Sequence, residues 1–177
     1  VVYDLGKGDE NGGPPFSESN QEIFDDNHSM SNLSVTGSVG DGKTIELDFV
    51  AEGKPSWLIV NGLSKEEARA GGTDPKIELF NKNEKMVGVS DNWRDENSSD
   101  QINNLENFPP PPGEWDSSLL LEGVRPGFYR LKMDAKGSLG ESEINVVPYD
   151  SSKLRIKEMT IRGWVEPDRP IRFMLPF

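Results

Sequence analysis

"LSVTGSVGDGKTIELDFVA", residues 33–51, decides the fold. Apolar and polar side chains alternate through "LSVTGSV" (33–39), "GDG" supplies a turn, and "TIELDFV" (44–50) alternates again. Such alternation marks a half-buried strand, because successive side chains point to opposite sides of the pleat. The pattern assigns Ile45, Leu47 and Phe49 to a buried face and Thr44, Glu46 and Asp48 to a solvated one. Two strands around a glycine-rich turn read as a hairpin.

Further strands follow at turn-bounded intervals. They are "SWLIVNG" (56–62), "PKIELFN" (75–81) with "KMVGVS" (85–90) as a second hairpin, "SSLLLEGV" (117–124), "GFYRLKMDA" (127–135) and "SEINVV" (142–147). Eight short strands at this spacing predict an all-β chain, an antiparallel β-sandwich or jelly roll. The one helical candidate is "SKEEARAGG" (64–72), with Ser64 as N-cap and Gly71 as stop, two turns at most. Residues 6–27 are acidic and rich in Gly and Pro, the composition of a linker. Residues 91–115 form a long loop ending in four prolines, expected to be extended and stiff.

The chain then repeats itself. "MTIRGWVEPDRPIRFMLPF" (159–177) carries the pattern of residues 33–51 at a constant offset of 126. Leu33 matches Met159, Val35 Ile161, Gly37 Gly163, Val39 Val165, Ile45 Ile171, Leu47 Phe173 and Phe49 Leu175. "VVYD" (1–4) resembles "VVPYD" (146–150). The organisation is therefore an N-terminal strand and acidic linker (1–29), a β-sandwich domain (30–150), and a C-terminal hairpin (151–177) supplying extra terminal strands. An isolated hairpin is marginal in water. This one carries Ile161, Trp164, Val165, Ile171, Phe173, Leu175 and Phe177, a large apolar set to leave exposed. Together with Val1, Val2 and Tyr3 these residues are the expected assembly interface, with copies of the same chain as partner. Three arrangements satisfy the pattern: strands exchanged head to tail between copies, a hairpin folded back on its own domain, or remnants of a tandem array.

Composition limits function. A net charge of −12 repels nucleic-acid backbones and anionic membrane surfaces. No apolar run approaches the ~20 residues needed to span a bilayer, so membrane insertion is not expected. The absence of cysteine excludes disulfides, thiolate nucleophiles and Cys-ligated zinc. The chain opens at Val1, as a fragment or a mature chain with its leader removed would. Its one histidine, His28, lies in the polar linker, which leaves a Ser-His-Asp arrangement without support. No phosphate-cradling Gly-rich loop and no HExxH motif occurs. The chain reads as a non-enzyme.

One cluster merits weighing as a cofactor site. "SDNWRDENSSD" places Asp91, Asn92, Asp95 and Asp100 on one loop, and calcium takes six to eight such oxygens from a bent loop. Asp and Asn are also good turn formers. Trp93 in that loop reads as a lid on the sandwich edge, and Trp57, Trp115 and Trp164 as core or interface residues. Among three Asn-x-Ser sequences, Asn97 lies on the most exposed loop and is the expected glycosylation acceptor.

"LSVTGSVGDG", "DPKIELFNKNEKMVGVSDNW" and "DSSLLLEGVRPGFYRLKM" together resemble the repeat β-sandwich domain of large secreted bacterial surface proteins. The middle is similar to the bacterial pre-peptidase C-terminal domain, through its Asp-x-x-Leu-x-Leu-Phe, acidic turn and Pro-Gly-x-Tyr order. The resemblance covers about residues 30–150; "VNGLSKEEARAGG" and "FPPPPGEW" depart from it. It implies a β-sandwich and a secreted, cell-surface setting. It implies no activity, although some pre-peptidase-like modules bind calcium. The leading expectation is an extracellular structural subunit assembling through its terminal strands. The alternative is a calcium- or carbohydrate-binding accessory module.

Overall fold

Each strand expected between residues 33 and 147 forms, although residues 33–39, read as half-buried, are buried on both faces except at Thr36. The computed structural model describes residues 2–4, 32–65, 73–95, 98–106, 108–137, 139–163 and 171–174. Its strands are β1 (Val2–Asp4), β2 (Leu33–Val39), β3 (Ile45–Gly53), β4 (Ser56–Ser64), β5 (Asp74–Asn81), β6 (Met86–Ser90), β7 (Ser117–Val124), β8 (Gly127–Lys136), β9 (Gly140–Pro148), β10 (Leu154–Gly163) and β11 (Arg172–Met174). They form two antiparallel sheets. One has the order β1-β11-β2-β9-β4-β7 and the other β10-β3-β8-β5-β6. The fold is a β-sandwich.

The inward residues of both sheets make one core. Leu33, Val35, Ile45, Leu47, Phe49, Val60, Ile77, Leu131, Ile144 and Val146 are all buried in it. Phe49 stacks on Tyr129 with ring centroids 5.7 Å apart. Interdigitation of two apolar inner faces is what holds such a sandwich together.

Four expectations need correction. Residues 33–51 do not form a hairpin: β2 lies in one sheet and β3 in the other, and only Gly40 and Lys43 bridge them. The corner is possible because Gly40, Asp41 and Gly42 all take positive φ, which turns the chain between layers. The C-terminal copy behaves in the same way, with β10 and β11 in opposite sheets. Ser64 ends β4, and the rest of the expected helix, residues 66–72, lies outside the described residues.

The loop at 91–115 is not wholly extended. It holds a 3-10 turn at Trp93–Asp95 and a short helix, α1, at Ser99–Asn103, before the proline run. Ile102 of α1 is buried. Finally, alternation places Asp48 on the solvated face, yet it is 6% exposed because Arg130 and Arg162 cover it there.

Candidate assembly seam

β10 and β11 add one strand to each sheet, and each pairs with a strand of the segment that residues 159–177 repeat. β10 pairs with β3 from Leu154 opposite Gly53 to Gly163 opposite Ile45, with a bulge between Ile156 and Glu158. β11 pairs with β2 through Thr36 opposite Arg172, Val35 opposite Phe173 and Ser34 opposite Met174. β1 lies outside β11, with Tyr3 opposite Phe173. β1 and β11 thus pair at one edge of the sandwich. Ile156, Ile161, Ile171 and Phe173 enter the core beside Leu33, Val35, Ile45 and Leu47. Burying Ile161, Ile171 and Phe173 contributes roughly 5–9 kcal/mol before ordering costs, at ~1.5–3 kcal/mol per side chain.

A buried carboxylate fastens this seam. Arg130 donates from Nε to Asp48 Oδ1 (2.8 Å) and from Nη2 to Oδ2 (3.1 Å), while Arg162 donates from Nη1 to Oδ2 (2.8 Å). The three residues sit on β8, β10 and the β3 strand between them, so one carboxylate ties three strands. Burial alone would raise the Asp48 pKa. Hydrogen bonds and charge from Arg130 and Arg162 outweigh it and hold the carboxyl below its usual value. Arg162 also faces Glu46 at 4.0 Å.

The link from β9 to β10 is a tight turn organised by Asp150. Its carboxylate accepts from the Ser152 N–H (3.1 Å) and pairs with Lys153 Nζ (2.8 Å). Its carbonyl accepts from the N–H groups of Lys153 and Leu154, both at 3.0 Å. Hydrogen bonds from Lys153 and then Ser152 lower the Asp150 pKa to about 2.

Of the residues expected at an assembly interface, Ile161, Ile171 and Phe173 lie buried in the seam, and Val2 and Tyr3 stand in β1 beside β11. Val1, Trp164, Val165, Leu175 and Phe177 lie outside the described residues, as do Asn97 and His28. The sequence reading missed Asp48, Arg130 and Arg162. The available signal was Arg162 standing where the first copy has Thr36.

The acidic loop is arranged differently from a single chelating cluster. The Asp91 carboxylate pairs with Lys136. Asp74 is nearby: burial, then the charge of Asp91, raises its pKa, while Lys136 counteracts. One side-chain oxygen each of Asp74, Asp91 and Asn92 is buried without a hydrogen-bond partner. Asp95 and Asp100 are exposed, on the 3-10 turn and on α1. Among the described residues no group of three or more Asp, Glu or His side chains gathers around one point.

What holds that loop is Trp93 and Asp116. Trp93 is buried and donates from Nε1 to the Gly113 carbonyl (3.0 Å), and its N–H donates to the Asp116 carbonyl (2.9 Å). The Asp116 carboxylate accepts from the N–H groups of Ser64 (2.9 Å) and Gly113 (2.7 Å). Trp115 is 48% exposed and not a core residue, and Trp57 is half-buried against Tyr149.

No protein-family model matches the chain, and no curated protein is similar to it. Among the described residues, no helix is long and apolar enough to cross a membrane.

Proposed function

We propose that the chain is a non-enzymatic extracellular structural subunit that joins copies of itself head to tail, by exchange of its C-terminal strands, into a filament, pilus-like fibre or surface layer. The observation that supports this most is the seating of a repeated segment on both sheets, attached to the rest of the domain by a single turn at 150–153. When that turn opens, residues 154–174 of one copy meet the same surface on the next and make the same ladders. Exchange of an identical element leaves the native contacts unchanged, so only the hinge and the concentration decide between own and neighbouring chain. A head-to-tail contact that does not close propagates. A cysteine-free, strongly acidic chain suits exposure to the medium, and the resemblance to surface-protein repeats points the same way.

Cysteines at positions 36 and 172 test the exchange, because Thr36 and Arg172 are cross-strand partners and the chain has no other cysteine. Opposed residues of an antiparallel pair lie within the range a disulfide spans. Oxidised at assembly concentration, Thr36→Cys/Arg172→Cys chains are expected to run as a covalent ladder on a non-reducing gel. A product confined to intrachain-linked monomer, at every concentration and with no fibres by negative stain, would overturn the reading.

A calcium-binding module is the second reading, favoured by the unpartnered oxygens of Asp74, Asp91 and Asn92. Added calcium should then raise the melting temperature by mass action and chelator should reverse it.

A further inference from the structure

The two ladders that seat the repeated segment are images of one another. Shifting Thr36–Arg172, Val35–Phe173 and Ser34–Met174 by the repeat offset turns them into Arg162–Glu46, Ile161–Leu47 and Thr160–Asp48, which are the partners observed between β10 and β3. The packing obeys the same relation. A β-carbon on Gly37 would lie 2.9 Å from Ile45 Cδ1 and 3.3 Å from Ile171 Cγ1. One on Gly163 would lie 2.8 Å from Ile171 Cδ1 and 3.4 Å from Ile45 Cγ1. Gly37 and Gly163 are equivalent, as are Ile45 and Ile171, so these four residues surround a local two-fold axis. The first copy meets the second as two identical subunits meet in an isologous contact.

We infer that the surface of residues 33–51 is self-complementary, and that two chains whose seats are vacant dock there on each other about a true two-fold axis. β2 of each would pair with β3 of the other, joining the sheets of the two sandwiches edge to edge. The quartet of two glycines and two isoleucines is reproduced by Gly37 and Ile45 from both chains. Val35 faces Leu47 in place of Phe173, which keeps the contact apolar. What differs is the clamp. Asp48 finds Thr36 where the chain's own repeat offers Arg162, so it keeps only Arg130. The C-terminal copy is therefore preferred when it is present, and the two-fold contact forms when it is not. This deepens the exchange reading, on which its role in assembly rests. A head-to-tail array has one subunit with a vacant seat, and two such ends would close on each other.

The test releases the C-terminal strands without touching the first copy. In the full chain, Ile161→Asp/Phe173→Asp places carboxylates at two buried seam positions. The expected result is a doubling of mass by light scattering with the strand spectrum retained. Mixing released chains bearing Thr36→Cys with released chains bearing Glu46→Cys should give a disulfide-linked dimer that neither gives alone. A folded monomer that forms no mixed disulfide overturns the inference. Should the released chain lose its strand spectrum, a chimera decides. Residues 159–175 are replaced by the sequence of 33–49, so that one chain carries two first copies. The chimera is expected to fold as a monomer, and one that cannot fold overturns self-complementarity. Neither arm depends on fibre formation, which the Thr36→Cys/Arg172→Cys gel reports separately.

Discussion

The ladder between β10 and β3 and the ladder between β11 and β2 share one geometry and differ in strength. The first runs the whole length of β10, and Arg162 adds a buried clamp on Asp48. The second covers three residues, and its nearest ion pair, Arg172 with Glu141, is 3.8 Å long and largely exposed. Exposed pairs of that kind are worth little. The difference traces to single residues: Asp48 corresponds to Met174, and Arg162 to Thr36. Equal backbone placement therefore does not give equal anchoring. β10 is the fixed strand of the terminal segment and β11 the one released first, with β1 dependent on it.

The largest expected effect sets equivalent core positions against each other. Leu47 and Phe173 occupy matching places, both buried. Leu47→Ala should cost about 3 kcal/mol, since it opens a cavity where β3 is held on both edges. That corresponds to a fall in melting temperature of about 6–12 °C for a chain of this size. Phe173→Ala removes more atoms, yet should lower global stability by about 1 kcal/mol, because β11 can detach while the sandwich persists. Amide exchange should then show lost protection at 172–174. Equal losses from the two changes would mean that the ladders are equally anchored.

The next test is pH. The Asp48 carboxyl has a folded-state pKa below its ordinary value of 3.8. A depressed carboxylate contributes stability that is fully present above its unfolded pKa and lost as pH falls through the folded one. The melting temperature should therefore drop in acid, and Asp48→Asn should flatten that drop while costing about 1–3 kcal/mol at neutral pH, because Arg130 and Arg162 lose the carboxylate that both contact. β10 should lose protection before β7 or β4 does. An unchanged acid profile in Asp48→Asn would assign the pH dependence elsewhere and leave the clamp without a role.

Much of this fold could be read from residue order. The strands at 33–39, 117–124 and 127–135 are legible within a residue of their observed limits, because the turns "GDG" and "RPG" bound them. The repeat was visible as a pattern of seven matched residues. What alternation cannot express is which sheet a strand joins. A turn of three residues reads as a hairpin whether its strands pair or part, and the positive φ at Asp41 that sends them apart carries no sequence signal of its own. Asp48 was misassigned for a related reason. Period-two patterning places a side chain on the outer face but does not reveal the two arginines that cover it there. Of the loop set Asp91, Asn92, Asp95 and Asp100, the 3-10 turn carries Asp95 and α1 carries Asp100, and Asp91 meets residues that the spacing within the loop does not name. Lys136 and Asp74, its actual neighbours, come from distant strands.

The smallest expected effect is also the most direct probe of the two-fold relation. If the ladders are true images, the clamp can be copied from one to the other. Met174 stands where Asp48 would be, and Thr36 where Arg162 would be. Thr36→Arg with Met174→Asp should then build the missing ion pair across β2 and β11. Met174 is 49% exposed, so the gain should be about 0.5 kcal/mol, in the range of surface pairs. Each single change should be unfavourable, since Thr36→Arg alone sets a guanidinium opposite Arg172, where Arg162 has Glu46, and Met174→Asp alone adds a charge to an already acidic chain. The decisive quantity is the coupling in the double-mutant cycle, which cancels such individual effects. Favourable coupling that shrinks with added salt marks a pair formed at the imaged distance. It should come with increased protection of 172–174, because the weaker ladder is then held as the stronger one is. Zero coupling, with both single variants folded, would show that the symmetry ends at the backbone and does not extend to where side chains reach.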